Sequence, residues 1–294
     1  MAIESSPQSE APLQAVVSTL VGSKLPPLPA KPRMGFFTDT SICIGCKACE
    51  VACKQWNQLP DDGFAFTAMS YDNTVELGAS TWRHVAFIER PVALSSQNAG
   101  AFSWLFSSDV CKHCARAGCL ESCPTGSIIR TEYGSVYIQP DVCNGCGYCV
   151  VNCPFGVIDR RRDDGRAWKC TLCYDRLRED MTPACAKHCP TESIQFGDLD
   201  ELRERAKARV RKLHEGGVKE AYLYGASAED QPGTQGLHAF FLLVDKPEVY
   251  NLPPDPVVPT AKGKDAWKSM AVAAAGVALA ALGSVLFGRA GVRS

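Results

Sequence analysis

The sequence lacks any marked excess of charge and any recognisable set of catalytic residues. Its 31 lysines and arginines are nearly balanced by 32 aspartates and glutamates, so the formal net charge is −1. Without a basic excess, the protein has no electrostatic footprint for binding a nucleic acid. No Ser–His–Asp arrangement, phosphate-binding glycine loop or pair of catalytic carboxylates can be identified among its residues. We therefore assign no catalytic residue to this protein.

The N-terminus lacks the features of a secretory signal. It begins with an acidic stretch, has only a short apolar run from Ala15 to Val21, and contains no twin arginine. Its proline and serine content predicts an extended arm over residues 1–34.

Cysteine, by contrast, is abundant, and its 16 residues fall into four groups of four. In sequence order, sets 1 to 4 are Cys43, Cys46, Cys49 and Cys53; Cys111, Cys114, Cys119 and Cys123; Cys143, Cys146, Cys149 and Cys153; and Cys170, Cys173, Cys185 and Cys189. Disulfide-rich proteins are usually short and secreted, whereas this one has 294 residues and is 46% hydrophobic. The C-x2-C pairs that recur in every set indicate metal sites instead of disulfides.

The spacing of the cysteines favours iron–sulfur clusters over zinc. Structural zinc sites commonly use two C-x2-C pairs separated by a long spacer. Here sets 1 and 3 contain the compact run C-x2-C-x2-C, and sets 2, 3 and 4 end in Cys-Pro. In two-cluster ferredoxins such a run binds one [4Fe–4S] cluster, while the Cys-Pro ligand belongs to the other cluster. Zinc is kept as the alternative metal.

This exchange of the fourth cysteine predicts how the sets combine. Every set is complete, so we expect four [4Fe–4S] clusters and no three-iron cluster. The predicted ligands are Cys43, Cys46, Cys49 and Cys189 for cluster 1; Cys53, Cys170, Cys173 and Cys185 for cluster 2; Cys111, Cys114, Cys119 and Cys153 for cluster 3; and Cys123, Cys143, Cys146 and Cys149 for cluster 4. Cys53, which is followed by Lys54 and not by proline, thus leaves its own set to join the next cluster.

The pairing predicts an α+β fold made of two ferredoxin-like units, one inserted in the other. The outer unit comprises residues 35–100 and 160–246, and the inner unit comprises residues 101–159. A proline-rich linker without regular structure is expected over residues 247–267, and a transmembrane helix over residues 268–289.

Several segments between and after the cysteine sets have clear local patterns. "STWRHVAFIERPVAL" alternates like a strand, "SIIRTEYGSVYIQPDVC" reads as two short strands joined at Tyr133-Gly134, and "RRRDDGRAWKC" contains an Asp-Gly turn. "DLDELRERAKARVRKLHEGG" predicts a helix capped by Asp198 or Asp200 and ended by Gly216-Gly217. "KEAYLYG" and "LHAFFLLVD" predict two further strands.

The C-terminal run Ser269–Gly288 contains no charged residue. A helix needs about 20 residues to cross the hydrocarbon layer of a membrane, and this run has that length. The alternative is an apolar helix that is buried in a soluble complex. Small residues recur at every fourth position and would suit close contact with another membrane helix: Gly276, Ala280, Ser284 and Gly288.

Other polar residues within the cysteine sets are candidates for a supporting role. His113 and His188 lie inside sets, but four cysteines per cluster leave them surplus, so we interpret them as neighbours of a cluster or as surface residues. Lys47, Lys112 and Arg176 either tune cluster potentials through their charge or are simply solvated.

The order of the sets, together with "KCTLCYDR" and "CPTESIQFGD", resembles the four-cluster iron–sulfur subunits of molybdopterin oxidoreductases. Within that family the sequence is most similar to the beta subunit of membrane-bound formate dehydrogenase, on the basis of "CIGCKACEVACKQWN", "CGYCVVNCPFGV", the Tyr71–Asn73 motif and "WKSMAVAAAG". The resemblance covers roughly residues 35–290.

The resemblance implies an electron-transfer subunit that does not itself bind formate. The implied partners are a catalytic alpha subunit with a molybdenum or tungsten bis-pterin cofactor and a cytochrome b gamma subunit in the membrane. Electrons would pass from cluster 1 through clusters 2 and 3 to cluster 4, and then to haem and quinone. The bulk of the protein would lie on the periplasmic face of the cell membrane after export with the alpha subunit, although the charges flanking the C-terminal run do not decide its orientation.

Two alternatives remain open at this point. The first is an equivalent subunit of an enzyme that acts on dimethyl sulfoxide, thiosulfate, tetrathionate or hydrogen. The second is a free soluble polyferredoxin, against which the C-terminal apolar run argues.

Overall fold

The structure is a computed structural model that describes residues 31–63, 66, 74, 76–91 and 102–288. The Tyr71–Asn73 motif and residues 1–30 of the predicted arm lie outside the described residues. The strands are β1 (Met34–Asp39), β2 (Arg83–Pro91), β3 (Phe102–Val110), β4 (Ile128–Arg130), β5 (Val136–Ile138), β6 (Asp159–Arg160), β7 (Ala167–Trp168), β8 (Ile194–Asp198), β9 (Tyr222–Tyr224) and β10 (Ala239–Leu243). The α-helices are α1 (Ala48–Trp56), α2 (Gly118–Glu121), α3 (Tyr148–Val151), α4 (Tyr174–Arg178), α5 (Ala184–Lys187), α6 (Leu199–Glu215) and α7 (Gly263–Gly288).

A four-stranded mixed sheet joins the segment before set 1 to the segment after set 4. Its strand order is β8-β1-β10-β9, with β1 antiparallel to β8 and parallel to β10. All five residues of β10 are buried, as expected for a central strand covered on both faces. The β1–β8 ladder therefore brings sets 1 and 4 to the same end of this sheet.

Helix α6 packs on the sheet as its pattern predicts. The Asp198 carboxylate accepts hydrogen bonds from the backbone N–H groups of Asp200 and Glu201, at 2.9 and 3.2 Å, so Asp198 is the cap. The helix ends at Glu215, directly before the two predicted glycines. Its buried face consists of Leu199, Leu202 and Ala206.

Three two-stranded ladders surround the cysteine sets. The predicted β4–β5 and β6–β7 pairs occur on either side of their turns. Strand β2 was also expected, but its antiparallel partner β3 was not. The adjacent polar residues Ser107 and Ser108 interrupt the alternation of β3, yet both are buried, so the sequence pattern does not reveal the strand.

The short helices are brought together according to the predicted pairing of the sets. Helix α1 of set 1 packs against α5 of set 4, and α2 of set 2 packs against α3 of set 3. One hydrophobic core contains cysteines from all four sets together with apolar residues such as Val136 and Leu172. A second core lies around the sheet and α6.

The proline-rich segment differs from the prediction because it contains regular turns and buried residues. Two short 3-10 helices span Pro247–Tyr250 and Pro259–Lys262, each with proline in its first turn. Val258 is completely buried, and the Thr260 hydroxyl donates a hydrogen bond to Glu121 of α2. The segment is therefore packed against the molecule, and the expectation of a linker without regular structure was wrong.

Helix α7 is longer than the uncharged run that predicted it. It begins at Gly263, before Asp265 and Lys268, and extends to Gly288. The part over Asp265–Ser284 is long and apolar enough to cross a membrane, and none of it is buried within the protein. This arrangement is consistent with a membrane anchor and does not fit an apolar helix buried in the protein's own core.

The β1–β8 ladder provides a stringent test of the fold, because it pairs two glycines of unequal surroundings, Gly35 and Gly197. A Cβ added at Gly35 would lie 2.1 Å from the backbone oxygen of His238, whereas a Cβ at Gly197 would meet only Leu202, at 3.9 Å. We expect Gly35→Ala to destabilise the protein by about 1–3 kcal/mol and Gly197→Ala to be neutral or slightly stabilising. Thermal unfolding at one fixed scan rate checks this, and equal changes in Tm for the two variants would contradict the packing described.

Candidate metal centres

Three separate cavities are each lined by four cysteines. Their empty volumes are similar, at about 290, 320 and 280 Å³. The lining cysteines are Cys43, Cys46, Cys49 and Cys189 in the first cavity; Cys111, Cys114, Cys119 and Cys153 in the second; and Cys123, Cys143, Cys146 and Cys149 in the third. Each cavity thus receives three cysteines from one set and one from another, as the exchange pattern predicts for clusters 1, 3 and 4.

The remaining four cysteines are also close enough to interact. Burial is the main reason why the pKa of Cys53 is well above its usual range, and charge on Cys185, Cys170 and Cys173 raises it further. All four side chains are buried. The structure therefore gathers the cysteines predicted for cluster 2 into one region.

The cavities suit a cluster better than a single metal ion. Within the described ranges, no three His, Cys, Asp or Glu side chains converge on one metal-ion position. A zinc ion would hold its thiolates about 2.3 Å from one centre. Four cysteines around a cavity instead match the Cys₄ ligation of an iron–sulfur cluster.

The backbone around the compact runs explains their glycines. Gly145 has a φ of 72°, and a Cβ there would lie 2.4 Å from the backbone oxygen of Gly165. Gly147 precedes α3 in the left-handed region, with a φ of 80°. In set 1 the matching residue is Lys47, whose φ is 61° and whose ammonium lies 3.1 Å from the Glu50 carboxylate. Lys47 is therefore held in an ion pair and is not simply solvated.

Burial disfavours charge on most of these thiols. It raises the pKa of Cys49 to about 11 and that of Cys119 to about 12. For Cys123, hydrogen bonds from Ser127 and Thr125 outweigh burial and lower the pKa to about 7. Because metals bind thiolates, iron must displace protons from the buried cysteines, and its positive charge then stabilises them.

Four basic side chains are buried among the cysteine sets: Arg83, Lys112, Lys169 and Arg176. The sequence analysis considered Lys112 and Arg176 but missed the other two. Lys169 precedes Cys170 within the motif "KCTLCYDR", which was a usable signal, and its ammonium donates to the Cys170 carbonyl at 3.0 Å. For Arg83 no local signal exists, because its neighbours are distant in sequence.

The two candidate histidines have different surroundings. His188 is exposed, whereas His113 is buried and lines the second cavity. Val136 donates its backbone N–H to His113 Nδ1 at 3.1 Å, and burial lowers the pKa of His113, so the neutral ring carries its proton on Nε2. No partner for that Nε2–H occurs among the described residues. A buried donor at a four-cysteine cavity fits a group with sulfur acceptors.

Comparison with known proteins agrees with this chemistry. Two family models, both described as a 4Fe-4S dicluster domain, match residues 42–127 and 102–199. The protein is 40% identical over 278 residues to the formate dehydrogenase iron–sulfur subunit of Haemophilus influenzae, a match that covers 91% of the present sequence and 86% of that subunit. It is also 40% identical over 249 residues to the iron–sulfur subunit of the nitrate-inducible formate dehydrogenase of Escherichia coli, with 83% and 81% covered.

A second group of relatives is similar over a shorter region. The B subunit of the anaerobic dimethyl sulfoxide reductase of Escherichia coli is 35% identical over 173 residues, which is 59% of the present sequence and 77% of that subunit. The resemblance that the sequence motifs suggested is thereby confirmed, with formate dehydrogenase subunits matching the greater part of the sequence. With iron–sulfur domains and 40% identity over nine-tenths of its length, this protein belongs to the family of formate dehydrogenase iron–sulfur subunits.

Proposed function

We propose that this protein is the electron-transfer subunit of a membrane-bound formate dehydrogenase and that it carries four [4Fe–4S] clusters. The observation that carries the proposal is the presence of cavities of similar size, each lined by four cysteines, in a sequence so similar to these subunits. No catalytic residue is assigned, and formate is oxidised on the partner.

The proposed ligands are the four groups predicted from the exchanged cysteines. The three cavities support clusters 1, 3 and 4, and the mutual electrostatic effects among Cys53, Cys170, Cys173 and Cys185 support cluster 2. We further propose that residues 101–159 form a ferredoxin-like unit inserted between residues 35–100 and 160–246. The packing of α1 on α5 and of α2 on α3 supports this nested arrangement.

Neighbouring groups of cysteines are in electrostatic contact in the order proposed for electron flow. Burial is the largest cause of each raised pKa, but the next group adds to it. Cys185 of group 2 raises the pKa of Cys49 in group 1, and Cys111 of group 3 raises that of Cys170 in group 2. Cys149 of group 4 likewise raises the pKa of Cys119 in group 3. These contacts support a linear relay from cluster 1 to cluster 4.

The clusters would supply the one-electron chemistry of this relay. The protein's residues bury the thiolates, exclude water and place hydrogen-bond donors beside sulfur. Ser127 lies 3.1 Å from the Cys123 sulfur, and the Ala167 backbone N–H donates to the Cys143 sulfur at 3.4 Å. Such donors stabilise negative charge on the ligands and so favour the reduced state.

The proposed partners are a molybdenum- or tungsten-pterin alpha subunit and a membrane cytochrome b gamma subunit. Helix α7 would anchor the protein beside the gamma subunit, with the bulk of the protein on the periplasmic face. The length and composition of Asp265–Ser284 support a single span. A second candidate function is the equivalent role in a dimethyl sulfoxide reductase, which the 35% identity to the subunit of that enzyme favours over a shorter region.

The exchanged pairing can be tested with the fourth cysteines of sets 1 and 4. Because each is proposed to serve the other set's cluster, Cys53→Ser should abolish the same EPR signal as Cys173→Ser. Cys189→Ser should abolish the same signal as Cys43→Ser. Each variant should lose one cluster, with four irons and four acid-labile sulfides, and keep the others. If Cys53→Ser abolished the Cys43→Ser signal, the local pairing within each set would be correct instead.

The substrate of the complex can be tested on protein purified anaerobically from membranes. We expect formate to reduce the clusters of the wild-type complex within seconds, as seen by the appearance of their EPR signals, because the electrons enter through the partner. Dimethyl sulfoxide should leave the reduced signals unchanged. Oxidation by dimethyl sulfoxide without any reduction by formate would instead identify the second candidate function. Mass spectrometry of the copurified subunits provides an independent control.

A further inference from the structure

Arg83 is among the largest side chains that are fully buried in the described structure, with 1% of its surface exposed. It begins strand β2, and its Nη2 donates a hydrogen bond to the Cys185 sulfur at 3.2 Å. Its Nη1 lies 3.2 Å from the backbone oxygen of Ser108 and 3.3 Å from the Ser108 hydroxyl. The guanidinium also lies 4.9 Å from the centre of the Phe36 ring.

No carboxylate pairs with this guanidinium within the described residues. A buried charge without a counter-charge is unfavourable. Burial opposes the charge of Arg83, but Cys185 and Cys49 raise its pKa in compensation. The negative charge that stabilises Arg83 therefore comes from cysteine sulfur, on both of the first two groups.

Ser108 connects Arg83 to the first group. The Ser108 hydroxyl lies 3.2 Å from the Cys49 sulfur. Because Arg83 Nη1–H donates to the hydroxyl oxygen, the hydroxyl proton is free to point at that sulfur. One guanidinium thus contacts group 2 directly through Cys185 and group 1 indirectly through Ser108.

We propose that Arg83 is a positioning residue that raises the reduction potentials of clusters 1 and 2 together by holding one positive charge between them. The inference rests on the proposed function for the identity of the two clusters. Each cluster accepts one electron from the catalytic partner, and Arg83 keeps its proton throughout. A fixed positive charge and hydrogen bonds to ligand sulfur both favour the added electron, and a charge between two clusters also reduces the repulsion between their electrons.

The test measures the potentials of the clusters in the purified membrane complex by redox titration with EPR detection. In Arg83→Gln we expect the reduction equilibrium constants of clusters 1 and 2 to fall about tenfold, which is 59 mV for one electron. Those of clusters 3 and 4 should not change. Arg83→Lys, which keeps the charge but loses the fork of donors, should give a smaller shift of the same sign. The exposed Arg205, which contacts Gln195, provides the control variant Arg205→Gln with wild-type potentials.

Ser108→Ala separates the two contacts of Arg83. It should lower the potential of cluster 1 and leave that of cluster 2 unchanged, because the bond to Cys185 remains. This variant and Arg83→Lys decide the question if Arg83→Gln does not assemble its clusters. Wild-type potentials for clusters 1 and 2 in every assembled Arg83 variant and in Ser108→Ala would overturn the proposal and leave Arg83 a purely structural role.

The outcome is independent of the substrate of the complex. Chemical reductants and mediators set the potential in the titration, so the result stands even if formate does not reduce the clusters. The signals are assigned by their loss in Cys49→Ser and Cys185→Ser. If the proposed ligand groups were wrong, the shifts in Arg83→Gln would still follow whichever signals these two variants abolish.

Discussion

The fold is organised around one constraint, which is that a thiolate from one end of the cysteine region must reach a cavity built by the other end. Cys189 lies far from Cys43 in sequence, yet both line the same cavity. The β1–β8 ladder achieves this, since it pairs the strand that enters set 1 with the strand that leaves set 4. Because β1 also pairs with β10, the same sheet connects the cysteine region to the C-terminal part of the protein.

This constraint also shapes the composition of the core. Cysteines occupy much of the interior that apolar residues would fill in an ordinary domain. Their thiolates bring negative charge into a region of low dielectric constant, which is unfavourable without compensation. Buried basic groups such as Arg83 and Lys169, and iron itself, provide that compensation. The separate apolar core around α6 and β10 gives the protein hydrophobic stabilisation that does not depend on metal.

The sequence analysis succeeded where structure is decided by short-range interactions. Helix α6, its Asp198 cap and the β4–β5 turn were all predictable, because capping and turn geometry depend on residues a few positions apart. Strand β3 was missed because its buried serines are satisfied by distant partners, including Arg83. The turns of the proline-rich segment were missed for a similar reason, since Val258 is buried against Gly118.

The chemistry of this protein could be established from its amino-acid sequence alone, because the spacing of cysteines is a local property that selects the kind of metal centre. The family and the apolar C-terminal helix were also evident at that level, since they depend on motifs and on length. The folded structure was needed to show which cysteines share a cavity and which charged groups lie beside them. Arg83 illustrates the reason: its position next to Cys185 and Ser108 arises from strand pairing and packing, and contacts between segments far apart in sequence leave no pattern around a single residue.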